Sequence, residues 1–178
     1  VRDHLQLPKD RKIFLVRSGS MGFGKIHLFA RELEQGNKNG EQIVIICGNN
    51  KRRERTLRFQ FHGNPNVRVV GYTRHVAEYM AASDVIFTKP GGLSSTEAAV
   101  TGIPIIHTTP IPGCEEKNLE FFCFRGMSVA AGTRARQIEE GRRLMQQDGA
   151  RERMRQAQKE NMHPQAAEEI VRLLERNC

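Results

Sequence analysis

Short apolar runs alternate with amphipathic stretches along most of the chain. KIFLVR (12–17), QIVIIC (42–47), NVRVVG (66–71), DVIFTK (84–89), IPIIHT (103–108) and MSVAA (127–131) have the length and β-branched content of buried strands. Between them, KIHLFARELEQG (25–36) sets Ile26, Leu28, Phe29 and Leu33 at helical spacing and stops at Gly36. KRRERTLRFQFH (51–62), RHVAEYMAAS (74–83), SSTEAAVTG (94–102) and EEKNLEFFCFRG (115–126) predict further helices. From Thr133 onward the chain is helical and highly charged, with two or three helices expected and Pro164 opening the last.

Strands that are apolar throughout, alternating with helices, predict a parallel sheet covered on both faces. The fold class is therefore α/β: a Rossmann-like, doubly wound parallel sheet of about six strands, in a chain of 178 residues read as one domain. Such sheets bind ligands at the carboxyl ends of their strands. The loops that matter are then 18–24, 48–50, 71–74, 88–95 and 108–115. There is no internal repeat, and the first ten residues are the one linker candidate.

The formal net charge of +8 adds an expectation of polyanionic partners: nucleic acid, anionic lipid or phosphorylated ligands. With no Trp and two Tyr there is little aromatic surface for stacking bases, and no nucleic-acid motif is present, so no nucleic acid is expected as partner. No run approaches the roughly eighteen apolar residues of a membrane span. The start, VRDHLQLPKDRK, is polar and lacks the pattern of a signal peptide. It opens on Val, which is expected of a piece of a longer protein. Cys47, Cys114, Cys123 and Cys178 show no metal or redox spacing, and scattered thiols point to a reducing cytoplasm.

RSGSMGFGKIH (17–27) almost spells a phosphate loop: Gly19, four residues, Gly24 and Lys25. A nucleotide hydrolase needs Ser or Thr next, to hold magnesium, and a strand ending in an acid. Ile26 takes the first place, and no predicted strand ends in an acid. The dinucleotide fingerprint fails as well, since Gly19, Gly22 and Gly24 are spaced GxxGxG. What remains is a glycine turn leading into a helix N-terminus, where free N–H groups and the dipole favour an anion.

FTKPGGLSSTEAAVTGIPII (87–106) holds a second such turn. Lys89 follows a strand, Pro90, Gly91 and Gly92 turn sharply, and Ser94, Ser95 and Thr96 are expected to cap a helix carrying Glu97. An acid there either compensates the dipole or accepts hydrogen bonds from the vicinal hydroxyls of a ribose. In TTPIPGCEEKNLEFF (108–122), Glu115, Glu116 and Asn118 open the next helix beside the same crevice. Carboxylates and amides suit sugar hydroxyls; Glu116 reads first as a helix cap.

These residues carry a resemblance. KPGG-x4-EA, then GIP, then P-x-PG-x-E-x-x-N, then F-x-x-RG resembles the C-terminal, donor-binding domain of the family 28 glycosyltransferases. Within that family it is most similar to the diacylglycerol glycosyltransferases (monogalactosyldiacylglycerol synthase and the bacterial processive diacylglycerol glucosyltransferase), over about Ile13 to Ala131. The resemblance implies half of a two-domain GT-B fold. The acceptor lipid, the membrane-docking surface and the general base would belong to an N-terminal domain outside this chain, so that this chain alone is no complete catalyst.

By position, the resemblance implies a UDP-sugar site. Gly19, Ser20, Met21 and Gly22 would lie near the sugar and diphosphate. Tyr72 and Thr73 would begin the segment whose backbone meets the uracil, with Leu93 packing nearby. Lys89, Gly91, Gly92, Ser94 and Ser95 would line the phosphates, Glu97 would hold the ribose hydroxyls, Glu115 would reach hydroxyls of the transferred sugar, and Asn118 would shape that turn of the site. It further implies transfer of a hexose to a diacylglycerol-type lipid with inversion, no cofactor, and a place at the cytoplasmic face of the cell membrane; with no carboxylate cluster of the DxD type in the sequence, no tightly held metal is expected. The densest basic cluster, Arg52, Arg53, Arg55 and Arg58, is either a membrane-facing surface or a solvated helix face. Other readings stay open: an N-acetylglucosamine transferase acting on the peptidoglycan lipid intermediate, a non-catalytic nucleotide-sugar-binding module, or a sugar-nucleotide epimerase, for which His107 is the candidate residue.

Overall fold

The computed structural model describes residues 1–17 and 25–176. Strands β1 (Ile13–Arg17), β2 (Gln42–Ile46), β3 (Val67–Val70), β4 (Val85–Thr88), β5 (Ile105–His107) and β6 (Val129–Ala130) form one parallel sheet in the order β3-β2-β1-β4-β5-β6. The helices are α1 (Ile26–Gln35), α2 (Lys51–Gln60), α3 (Val76–Ala82), α4 (Gly92–Thr101), α5 (Cys114–Phe124), α6 (Arg134–Gln146), α7 (Asp148–Asn161) and α8 (Ala166–Arg176). The expected α/β class and strand number hold, and the charged C-terminal stretch forms three helices.

The apolar runs are buried because each strand feeds two cores. Phe14, Val16, Ile43, Ile45 and Phe87 face one side with Phe29, Leu33 and Ile138, while Ile13, Leu15, Val44 and Ile86 face the other with Met80, Ala98 and Phe122. Helix α6 lies flat on β4 because it carries Gly141 at the contact: a Cβ there would stand 2.2 Å from Cζ of Phe87.

The first ten residues are no linker. Leu5 and Leu7 are buried in the second core. The Arg2 guanidinium donates to the carbonyls of Ala82 and Arg11, both at 2.9 Å, and pairs with Asp84 at 3.1 Å. Asp84 in turn accepts from the Ile13 N–H at 2.8 Å. These bonds tie the segment to the amino edge of the sheet and leave the carboxyl edge open. There the strand order changes direction between β1 and β4, which end level, with Arg17 opposite Thr88. That crevice is where a doubly wound sheet takes its ligand.

Candidate functional site

A cleft of about 730 Å³ opens at this crevice, with Arg17, Asn49, Tyr72, Thr73, Leu93 and Glu97 on its walls. Gly48, at φ +59°, turns the chain out of β2 and leads to Asn50, whose side chain caps α2 by accepting from the Arg53 N–H at 2.9 Å. Tyr72 and Leu93 keep 60% and 82% of their surface in solvent and so give the cleft two uncovered apolar walls.

Helix α4 begins at Gly92, two residues before the expected start, and its cap is Gly91, without a side-chain bond. Ser95 donates its N–H to the Gly91 carbonyl at 2.9 Å, the first turn of the helix ladder. The N–H groups of Gly92, Leu93 and Ser94 have no acceptor among the described residues. Three backbone donors at the positive end of α4 therefore stand open.

The early start corrects two expectations. The serines and Thr96 do not cap the helix. Nor is the Ser95 hydroxyl open to a ligand, because the two-residue shift turns it toward the sheet. It is fully buried, 2.9 Å from Nε2 of His107. His107 is also fully buried, packed edge-on against Phe122, and burial pushes its pKa down to about 4. A neutral imidazole facing away from the cleft suits a joint between β5 and α4, not the catalytic histidine of an epimerase.

Glu97 sits one turn along α4 with its side chain half exposed in the cleft. Its Oε2 lies 2.5 Å from Nη1 of Arg17, at the end of β1. This ion pair was not anticipated. The sign available in the sequence was a lone cation closing an otherwise apolar strand, directly before the glycine segment.

The loop after β5 folds onto the KPGG turn. The Glu115 carboxylate accepts from the Ile111 N–H at 2.6 Å, and Glu116 accepts from the Gly113 N–H at 2.9 Å, the cap expected of it. Asn118 donates to the Pro90 carbonyl at 3.0 Å. The second Glu115 oxygen lies 4.0 Å from where a Gly91 Cβ would stand, and the Asn118 amide 3.8 Å from a Gly92 Cβ. Gly91, Gly92, Glu115 and Asn118 thus form one group. Lys89 is separate from the large cleft. It lines a smaller cavity of about 240 Å³ with Lys25, Thr108 and Thr109. Gly19, Ser20, Met21 and Gly22 lie outside the described residues; Arg17, just before that segment, lines the large cleft, and Lys25, just after it, the smaller cavity.

The family described as "Glycosyl transferases group 1" matches residues 6–161, most of the chain. The chain belongs to this family. The processive diacylglycerol beta-glucosyltransferase of Staphylococcus carnosus is 38% identical over 146 residues, which are 81% of this chain and 37% of that enzyme. Its counterpart in Staphylococcus aureus strain Newman is 36% identical over 128 residues, 32% of its length. The chain thus spans about a third of the curated relatives it matches. These relatives bear out the motif resemblance to diacylglycerol glucosyltransferases, although the family description that matches is group 1 and not family 28. Among solved structures, Acinetobacter baumannii MurG superposes with a TM-score of 0.73 at 18% identity, over 98% of this chain and 52% of that one. The chain has the fold of one Rossmann-like half of a GT-B glycosyltransferase.

Proposed function

We propose that this chain is the donor-binding half of an inverting glycosyltransferase that moves a hexose from a UDP-sugar to a diacylglycerol-type lipid. The observation that carries the reading is the presence, in one cleft, of the Glu97 carboxylate with Leu93 and Ser94, two of the three residues at the start of α4 whose N–H groups have no acceptor among the described residues. One end suits ribose hydroxyls and the other a phosphate. An S. aureus protein named MnaA, whose structure holds UDP, shares the fold with a TM-score of 0.73 at 16% identity. The staphylococcal relatives are named for diacylglycerol glucosylation.

In this reading Tyr72 and Leu93 flank the base and Glu97 accepts from the ribose. Gly92, Leu93 and Ser94 donate their N–H groups to the diphosphate. Lys89 and Lys25 line the smaller cavity together, and their charge lowers the energy of the anion. Glu115 and Asn118, fixed against Gly91 and Gly92, face the sugar. The acceptor oxygen forms a bond to the anomeric carbon as the bond to the UDP oxygen breaks. The hydroxyl proton passes to a base on the other half of the enzyme. The donors fixed on this chain meet the negative charge that grows on the leaving diphosphate, a preorganised role in which one donor is typically worth about 3 kcal/mol. No step needs a cofactor or a metal.

Calorimetric titration tests the assignment. UDP is expected to bind one to one and ATP to be silent. Absence of UDP binding up to millimolar concentration would sink the proposal, and binding of ATP in its place would restore the phosphate-loop reading.

A lipid acceptor calls for a way onto the membrane. No helix among the described residues is long and apolar enough to cross one. On α2, Lys51 and Arg58 pair with Glu54, while Arg52, Arg55 and an 87%-exposed Phe59 face solvent. We propose that this face docks on the anionic cytoplasmic leaflet, each basic residue near the surface being worth about 1 kcal/mol. Flotation with vesicles containing phosphatidylglycerol should fall at least about tenfold in a variant carrying Arg52→Glu and Arg55→Glu. Equal flotation of variant and parent would place the membrane contact elsewhere.

A further inference from the structure

The amino-terminal segment meets α3 at a cluster that the cleft does not use. His75 caps α3 and Glu78 lies in its first turn, while His4 reaches over from the start of the chain. Nδ1 of His75 is 2.5 Å from Oε1 of Glu78, and Nδ1 of His4 is 3.6 Å from Oε2. Two imidazoles from segments far apart in sequence therefore converge on one carboxylate, one at each oxygen. Their ring centroids are 5.4 Å apart. One donor atom from each of the three residues lies within 4.8 Å of the others, the one such triad among the described residues.

We infer that His4, His75 and Glu78 form a binding site for a first-row divalent transition metal, zinc above all. Two imidazole nitrogens and a carboxylate are a donor set that zinc accepts, with solvent in the fourth position. Hard cations such as magnesium and calcium prefer oxygen throughout. Zinc bonds of about 2.0–2.1 Å at tetrahedral angles hold donor atoms roughly 3.4 Å apart and two imidazole centroids roughly 5 Å apart. The cluster brackets the first value and nearly meets the second, so small side-chain rotations complete the site.

The metal has a structural task there. It would staple the amino-terminal segment to α3. The His75 N–H also bonds to Thr73 Oγ1 at 3.1 Å, and Thr73 lines the cleft. The ion would thus stiffen the corner between β3 and α3 that forms one cleft wall. This inference stands whether or not the cleft takes UDP.

The test uses zinc and cobalt(II) alone, without nucleotide, on this chain with Cys114→Ser and Cys178→Ser to remove an exposed thiol and a terminal one. One equivalent is expected to bind. At a hundredfold excess over Kd the thermal midpoint should rise by roughly 5–10 °C. His4→Ala and His75→Ala should each weaken binding about tenfold or more, since each removes one of three ligands. Cobalt should give a spectrum without thiolate charge transfer. The site is refuted if zinc does not bind up to millimolar, if His75→Ala binds as the parent does, or if the cobalt spectrum shows a cysteine ligand.

Discussion

Glu97→Ala is expected to weaken UDP binding by about 10- to 100-fold, and Arg17→Met to erase most of the preference for UDP over its 2′-deoxy analogue. A hydrogen bond to a charged acceptor contributes roughly 1.5–3 kcal/mol. Losing the acceptor of two ribose hydroxyls therefore reaches that range even after partial compensation by water. Compensation also comes from Arg17. Freed of its partner, the guanidinium would add positive charge close to the diphosphate. In the parent the Arg17 pair fixes Oε2 of Glu97 and leaves the other oxygen without a partner among the described residues. A carboxylate held in this way is ready for a ribose, whereas a loose one must be ordered first.

Arg17 has two possible duties, and three ligands separate them. As a positioning residue it governs the ratio of UDP to 2′-deoxy-UDP affinity, about tenfold or more in the parent and close to one in Arg17→Met. As a direct diphosphate ligand it would leave that ratio intact and lower UDP relative to uridine. Calorimetry with all three ligands on Arg17→Met, Glu97→Ala and the double variant reads both. Positioning requires strong non-additivity in that ratio, because Arg17 has no carboxylate left to position once Glu97 is gone. Unchanged UDP affinity in Glu97→Ala would remove the ribose assignment altogether.

The strands were legible because burial on both faces leaves a mark no other element shares at that length. Phe14 to Val16 and Ile43 to Ile46 are unbroken apolar runs, and all of them are buried. Glu115 and Asn118 were legible for a related reason: three residues apart on a helix, they share the face that meets the KPGG turn. The start of α4 departs from the capping pattern because capping propensity is local and modest. Three hydroxyl residues in a row look like a cap, but the glycine turn supplies the start unaided, and Ser95 is drawn inward by a histidine twelve residues away. Leu5 and Leu7 sit in a polar context, and what docks them is a set of carbonyls and a carboxylate reached by Arg2, the farthest of them on residue 84. The partner of Arg17 stands eighty residues along the chain. Each of these depends on a contact that the fold creates.

The buried joint between Ser95 and His107 gives the second large effect, a loss of stability on mild acidification. The folded pKa of His107 is about 4 against an ordinary value of 6.5. Between these values the unfolded chain binds the proton and the folded chain does not. Stability contributed by the neutral imidazole is therefore fully present above pH 6.5 and drains away as pH falls toward 4. The displacement corresponds to on the order of 3 kcal/mol. Urea unfolding at intervals from pH 7 to pH 4 measures it, with a reference variant carrying His107→Leu and Ser95→Ala together. Replacing both partners leaves no orphaned hydroxyl, so the variant should fold, and other carboxylates and histidines contribute equally to both proteins. The parent is expected to lose stability more steeply than the variant across this window. Parallel curves would mean that His107 does not titrate apart from the unfolded chain. The physical cause is burial: an imidazolium at the end of β5 would be shut off from solvent with no carboxylate bonded to it among the described residues, where its partner is a hydroxyl at the root of α4. The helix whose first turn carries the open donors is thus pinned from behind by a group that must stay neutral.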